Sequence, residues 1–122
     1  MTTINLFQHS EDTVSYEAGQ AIFQAGDEGD YVYVVINGEV DLILGEKIVE
    51  TVGPGGILGE MALIEKKPRI ASAVARTDCR LIRIGEKQFM FLIQVTPYFA
   101  LQLMRVMAER LRRVDEYLIR RS

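Results

Sequence analysis

Glu60 and Arg69 are the charged side chains whose setting most suggests chemistry. They lie nine positions apart in GEMALIEKKPRIASA, residues 59–73, among many small side chains. Gly53, Gly55, Gly56 and Gly59 crowd the approach to this stretch. Glycine lets a backbone come close to a ligand and take positive φ. Residues 59–64 can form one helical turn, including Met61 and Ala62, and a helix start offers free N–H groups to an anion. Arg69 adds a fork of donors matched to phosphate oxygens. Pro68 restricts how the chain enters Arg69, and Ala71 and Ala73 leave room on the same wall. Glu60 can accept a hydrogen bond from a hydroxyl, such as a ribose 2′-OH. The loop could thus hold a sugar phosphate, with amides and Arg69 on the anion and Glu60 on the sugar. On spacing alone a second reading stands beside it: an ordinary Glu60–Arg69 salt bridge across a turn.

The elements that must position this loop are mostly short strands broken by glycine turns. Val14 and Tyr16 alternate with polar neighbours, and Ala21 to Phe23 form a short apolar run. AGDEGD (25–30) is a turn rich in Gly and Asp. YVYVVI (31–36) is β-branched and aromatic, as a buried strand requires, and Asn37-Gly38 marks a hairpin into EVDLIL. IVETV, ASAVA and CRLIRI supply further strands. Such spacing predicts a small β-barrel or jelly roll over about 13–84. Terminal helices follow over about 85–121. GEKQFMFLIQV (85–95) puts Phe89, Leu92 and Ile93 at helical spacing. Thr96-Pro97 reads as an N-cap followed by proline at the first helical position. From there a helix to about Arg121 would be a rod of roughly 36 Å. Its residues Ala100, Met104, Met107, Leu111, Val114 and Leu118 follow steps of four and three, an a/d seam. A second stripe, Leu103 and Val106, could pack on the barrel. The seam favours a homodimer through Met104, Met107, Leu111, Val114 and Leu118, against the plainer reading that one wide stripe covers the domain's own core.

Composition narrows the function classes. The chain has 122 residues, 48% hydrophobic, which fits a single domain over 1–122. Net charge is −3, so bulk charge does not point to nucleic acid. From Gln102 onward six arginines face three acids, a local +3 that leaves −6 elsewhere. An arginine-rich helix is more often a solvated face than a nucleic-acid surface. The lone Cys79 excludes an internal disulfide and, within CRLIRI, reads as a buried strand thiol. No apolar run nears the ~20 residues of a membrane span, and no signal peptide is evident. A cytoplasmic protein is expected. An enzyme is not. Metal-holding jelly rolls cluster histidines and carboxylates, but the one histidine is His9, outside the barrel pattern. No Ser-His-Asp or Cys-His set can be assembled. Neither a metal nor a cofactor is expected.

Gly59-Glu60-Met61-Ala62-Leu63, followed by Pro68-Arg69-Ile70-Ala71-Ser72-Ala73, resembles the phosphate-binding cassette of cyclic nucleotide-binding domains. The bacterial catabolite activator protein, protein kinase A regulatory subunits and cyclic nucleotide-gated channels carry such domains. YVYVVINGEVDLIL resembles the family's hairpin before the pocket, ARTDCRLIRI its closing strands, and FLIQVTPYFALQLMRVMAERLRR its terminal helices. The resemblance implies a mainly β fold with flanking helices: an eight-stranded double-stranded β-helix, or jelly roll, with a long C-terminal helix. It implies a bound cyclic nucleotide, cAMP ahead of cGMP, held by Gly59, Glu60, Met61, Ala62, Arg69, Ile70, Ala71 and Ser72. Arg69 would take the cyclic phosphate and Glu60 the ribose 2′-hydroxyl. Amides of Met61, Ala62 and Ala71 would face the sugar phosphate, and Leu42, Val49 and Leu58 would form apolar walls. The terminal helix would signal to a downstream protein that the sequence does not specify. Three departures stand out. Ile70 lacks the Ser or Thr hydroxyl often found after the arginine, which weakens the case for cGMP. Val114 and Asp115 replace adenine-binding hydroxyls, leaving Arg112, Arg113 and Asp115 as candidates for the base. No helix-turn-helix follows within these residues, so direct DNA binding is not expected. The competing expectation is a degenerate domain that keeps the fold and serves as a protein-interaction or dimerisation module.

Overall fold

In a computed structural model the backbone is described for residues 12–121 and side chains through Arg113. His9, Val114, Asp115 and Leu118 therefore lie outside the described side chains. In chain order the elements are β1 (Thr13–Tyr16), β2 (Ala21–Phe23), β3 (Tyr31–Asn37), β4 (Val40–Leu44), β5 (Lys47–Val52) and β6 (Ile57–Leu58). They continue with α1 (Glu60–Glu65), β7 (Ser72–Ala75), β8 (Cys79–Gly85), α2 (Glu86–Val95) and α3 (Pro97–Arg121). The strands form two antiparallel four-stranded sheets, ordered β1-β8-β3-β6 and β2-β7-β4-β5. This is the jelly-roll architecture with C-terminal helices that the alternating strands predict.

The apolar run of β3 has a simple cause. Its two faces are both covered. Tyr33 and Val35 point between the sheets, where they meet Val40, Val52, Leu58, Ala73, Ala75 and Leu81. Val32 and Val34 point outward into a second core with Ile82, Ile84, Phe89, Phe99, Leu103 and Val106. Successive side chains of a strand face opposite ways, so a strand roofed by helices must be apolar at every step. β8 divides in the same manner, with Cys79 and Leu81 inside and Ile82 and Ile84 under the helices. Burial pushes the Cys79 thiol above its ordinary pKa, with the charge of Asp78 adding to the effect.

Two helices close the outer core. The Thr96 N–H still bonds to Leu92 O at 3.0 Å, while the Thr96 carbonyl accepts from Phe99 N at 2.9 Å. One helix thus ends where the next begins, and the axis turns by 112°. Pro97 occupies a first-turn position, where its missing N–H costs nothing. The turn stacks Phe89 and Phe99 edge to face at 5.9 Å, a contact worth about 0.5–1.5 kcal/mol beyond the area it buries. Leu103 and Val106 are the stripe that packs on the sheet. The proposed seam divides: Met107 leans on the same core, whereas Met104 and Leu111 are 58% and 64% exposed. Among the described residues no single helix is long and apolar enough to cross a membrane.

Candidate functional site

A cavity of about 420 Å³ opens between α1, the loop after it, strands β4 and β5, and α3. Arg69, Glu60, Gly59, Met61, Ala62, Ile70 and Ala71 line it, with Leu42 and Val49 on the apolar wall. Leu58 and Ser72 lie off the lining. Leu58 is fully buried between the sheets, because its place on β6 opposite Tyr33 turns it inward. Ser72 instead accepts the Ala25 N–H on its Oγ at 2.9 Å. Ile70 stands at the mouth, 74% exposed.

Arg69 is a buried cation, 6% exposed. Its Nη2 donates to Tyr31 O at 2.7 Å and its Nη1 to Gly59 O at 3.1 Å. The guanidinium lies 3.9 Å above the Phe23 ring. Its buried Nε has no partner. Among the described residues no carboxylate comes within ion-pair distance of it. Burial lowers its pKa from the ordinary arginine value, against the opposing pull of Tyr33, Asp27, Asp30 and Glu60. A desolvated cation with spare donors is chemically able to receive an anion.

The chain is stitched around that cation. The Arg69 N–H donates to Asp27 O at 2.9 Å, and the Gly26 N–H donates to Arg69 O at 2.7 Å. AGDEGD is therefore the strap that fixes the arginine's backbone. Gly29, in the same turn, stands so close to α1 that a Cβ would lie 2.2 Å from Ala62 Cβ and 3.4 Å from Arg69 Cζ. At Gly59, φ is +85° and a Cβ would sit 2.8 Å from Arg69 Nη1 and 3.2 Å from Tyr31 O. Gly59→Ala is expected to lower stability by about 1–3 kcal/mol through this strained conformation and crowding. A urea midpoint equal to wild type would contradict the account.

Glu60 is 1% exposed, and its partner is not Arg69. Arg110 reaches in from α3 and bonds to Glu60 through Nη1 and to Ile57 O through Nη2. The same guanidinium donates through Nε to Glu50 Oε1 at 2.9 Å. Arg113 adds an ion pair to Glu50 at 3.3 Å. Burial pulls the Arg110 pKa down, but Glu60 and the bonds to Glu50 outweigh it and the net shift is upward. The simple salt bridge across the turn is thus replaced by a buried pair that ties α3 to the cavity. Sequence reasoning missed Arg110 and Glu50; the candidate Arg113 does line the cavity, whereas Arg112 is exposed and does not. The group {Glu50, Glu60, Arg110} spans 60 residues. A carboxylate opposite the alternating Leu42 register of β4–β5 was the available signal, since a charge on a core-facing strand position calls for a partner.

A family profile described as Cyclic nucleotide-binding domain matches residues 13–96. The chain belongs to this family. The domain is 52% identical over 71 residues to the cAMP-dependent protein kinase regulatory subunit of Eremothecium gossypii, covering 58% of this chain and 16% of that one. Over 105 residues it is 38% identical to the Cyclic AMP receptor protein of Thermus thermophilus, covering 82% and 49%. The crystal structure of Thermus thermophilus Catabolite Activator Protein matches with a TM-score of 0.78 and 35% identity, over 87% of this chain and 52% of that chain. The domain thus spans half or less of the length of these curated relatives. Among the described residues no group of three or more His, Cys, Asp or Glu is placed to hold a metal.

Proposed function

We propose that this domain is a cyclic nucleotide sensor that takes cAMP ahead of cGMP. The observation that carries the reading is Arg69: a buried guanidinium with an unpartnered Nε on the wall of a 420 Å³ cavity. That volume lies within the usual range for small-molecule pockets. The cyclic phosphate meets Arg69 and the amides of Met61, Ala62 and Ala71. The first turn of α1 has no side-chain cap, so its amides are available donors. The ribose 2′-hydroxyl donates to Glu60, which shares its carboxylate between the hydroxyl and Arg110, since an ionised carboxylate accepts several bonds. Leu42 and Val49 cover the sugar and base. Ile70 offers no hydroxyl to guanine, which favours cAMP.

Signalling runs through α3. Because Arg110 holds Glu60, whatever the ligand does to Glu60 bears on the helix. The ligand can move the helix only as far as it prefers one helix position over another. Calorimetric titration with cAMP and cGMP tests the reading: cAMP is expected to bind more tightly, and no heat with either would leave the fold as an interaction module. We also propose a homodimer through the exposed side of α3. Leu111→Asp is expected to convert a dimer into a monomer in sedimentation, since a charge at an a/d seam opposes pairing. A wild-type chain that is monomeric at every concentration would overturn the seam.

A further inference from the structure

Glu50 is the second carboxylate lining the cavity, beside Glu60, and nucleotide binding through Arg69 and Glu60 does not use it. It sits on β5 directly across from Leu42 of β4, a wall residue of the same cavity. Cross-strand neighbours share a face of the sheet. The carboxylate therefore stands beside the apolar wall, on the side where α3 crosses. Its side chain is 10% exposed.

Its two oxygens are not equally committed. Oε1 accepts from Arg110 Nε at 2.9 Å and from Arg113 Nη1 at 3.3 Å. Oε2 is reached by Arg110 Nη2 at 3.4 Å, near the outer limit of a hydrogen bond. The two guanidinium groups fix the carboxylate's orientation and leave Oε2 as the oxygen with acceptor capacity to spare. Arg113 also lines the cavity. An acceptor and a cationic donor thus stand together at one wall.

We propose that Glu50 is the base-reading residue, its Oε2 accepting an N–H from the exocyclic 6-amino group of adenine. This rests on the nucleotide reading of the cavity and adds a specificity determinant to it. An adenine edge presents that amine next to a ring-nitrogen acceptor, which complements Glu50 beside Arg113. One spare oxygen suits a single donor. Guanine and hypoxanthine carry a carbonyl oxygen at the 6-position, which an ionised carboxylate repels.

The test compares cAMP, cyclic IMP and the cyclic monophosphate of purine riboside, which lacks any 6-substituent, on the full chain. Wild type is expected to bind cAMP about ten- to a hundred-fold more tightly than either analogue, the range set by one hydrogen bond to a charged group. Glu50→Leu, similar in volume and without an acceptor, is expected to bring the ratio towards one. A carboxylate that merely anchored α3 would change all three affinities alike and leave the ratio unmoved. Equal wild-type affinities for cAMP and the purine riboside analogue overturn the proposal without any variant. A wild-type preference that survives in Glu50→Leu overturns it too. Failure of all three nucleotides to bind wild type instead overturns the nucleotide reading itself.

Discussion

Arg69→Ala is expected to weaken cAMP binding by about one to four orders of magnitude, the span that corresponds to losing a buried charge partner worth about 2–5 kcal/mol. The size follows from where the guanidinium sits. It is buried against Tyr31 O, Gly59 O and the face of Phe23, and water entering from the cavity would replace its charge with neutral donors only. The substitution also affects the unliganded fold. Two carbonyls lose their donors, and a buried unsatisfied polar group costs about 1–3 kcal/mol. Affinity must therefore be measured below the variant's unfolding range, with a urea melt alongside. Arg69→Lys separates charge from geometry. A lysine keeps the positive charge but cannot span two carbonyls with a planar fork, so its affinity should fall between those of wild type and alanine. Unchanged calorimetric affinity in Arg69→Ala would remove the anion seat from this cavity.

The strands and helices were legible because each follows a local rule. Tyr31 to Ile36 are apolar at consecutive positions, and the structure supplies a core on each side of them. Thr96-Pro97 breaks one helix and starts the next, where the chain turns by 112°. Arg69 and Glu60 stood out through their small neighbours. What stayed hidden depends on distant pieces of chain. Nothing local to Arg110 distinguishes it from Arg105 or Arg112, and only the crossing of α3 over β5 brings it to Glu50 and Glu60. AGDEGD looked like an ordinary acidic turn until its main-chain bonds to Arg69 gave it a role. Leu58 lies off the cavity lining for the opposite reason. It is apolar and near the cassette, but a two-residue strand has one face inward, and that face carries Leu58 into the core. The regular heptad steps of α3 did not separate residues that cover this domain from residues free for a partner; Met107 belongs to the first group and Leu111 to the second.

Arg110→Ala is expected to destabilise the fold by about 3–5 kcal/mol, the usual result of removing one partner from a buried ionic group. Against a typical domain stability of about 5–15 kcal/mol this is a large fraction. The side chains concerned are well covered: 18% exposed for Arg110, 10% for Glu50 and 2% for Glu60. The alanine leaves both carboxylates without this counter-charge and also removes the donor to Ile57 O. Arg113 reaches Glu50 and so retains part of one pair, whereas Glu60 loses its ion-pair partner among the described residues. The cost should accordingly fall mainly on Glu60, and a double-mutant cycle can locate it. Glu60→Gln in the Arg110→Ala background is expected to recover more stability than Glu50→Gln does, measured as urea midpoints. Such an order would mean that the helix is held chiefly by the same carboxylate that is proposed to receive the ribose, so that ligand and helix would compete for, or share, one group. An Arg110→Ala protein that unfolds with the wild-type midpoint would instead place α3's attachment in Phe99, Leu103 and Val106 alone, and the link between cavity and helix would be lost.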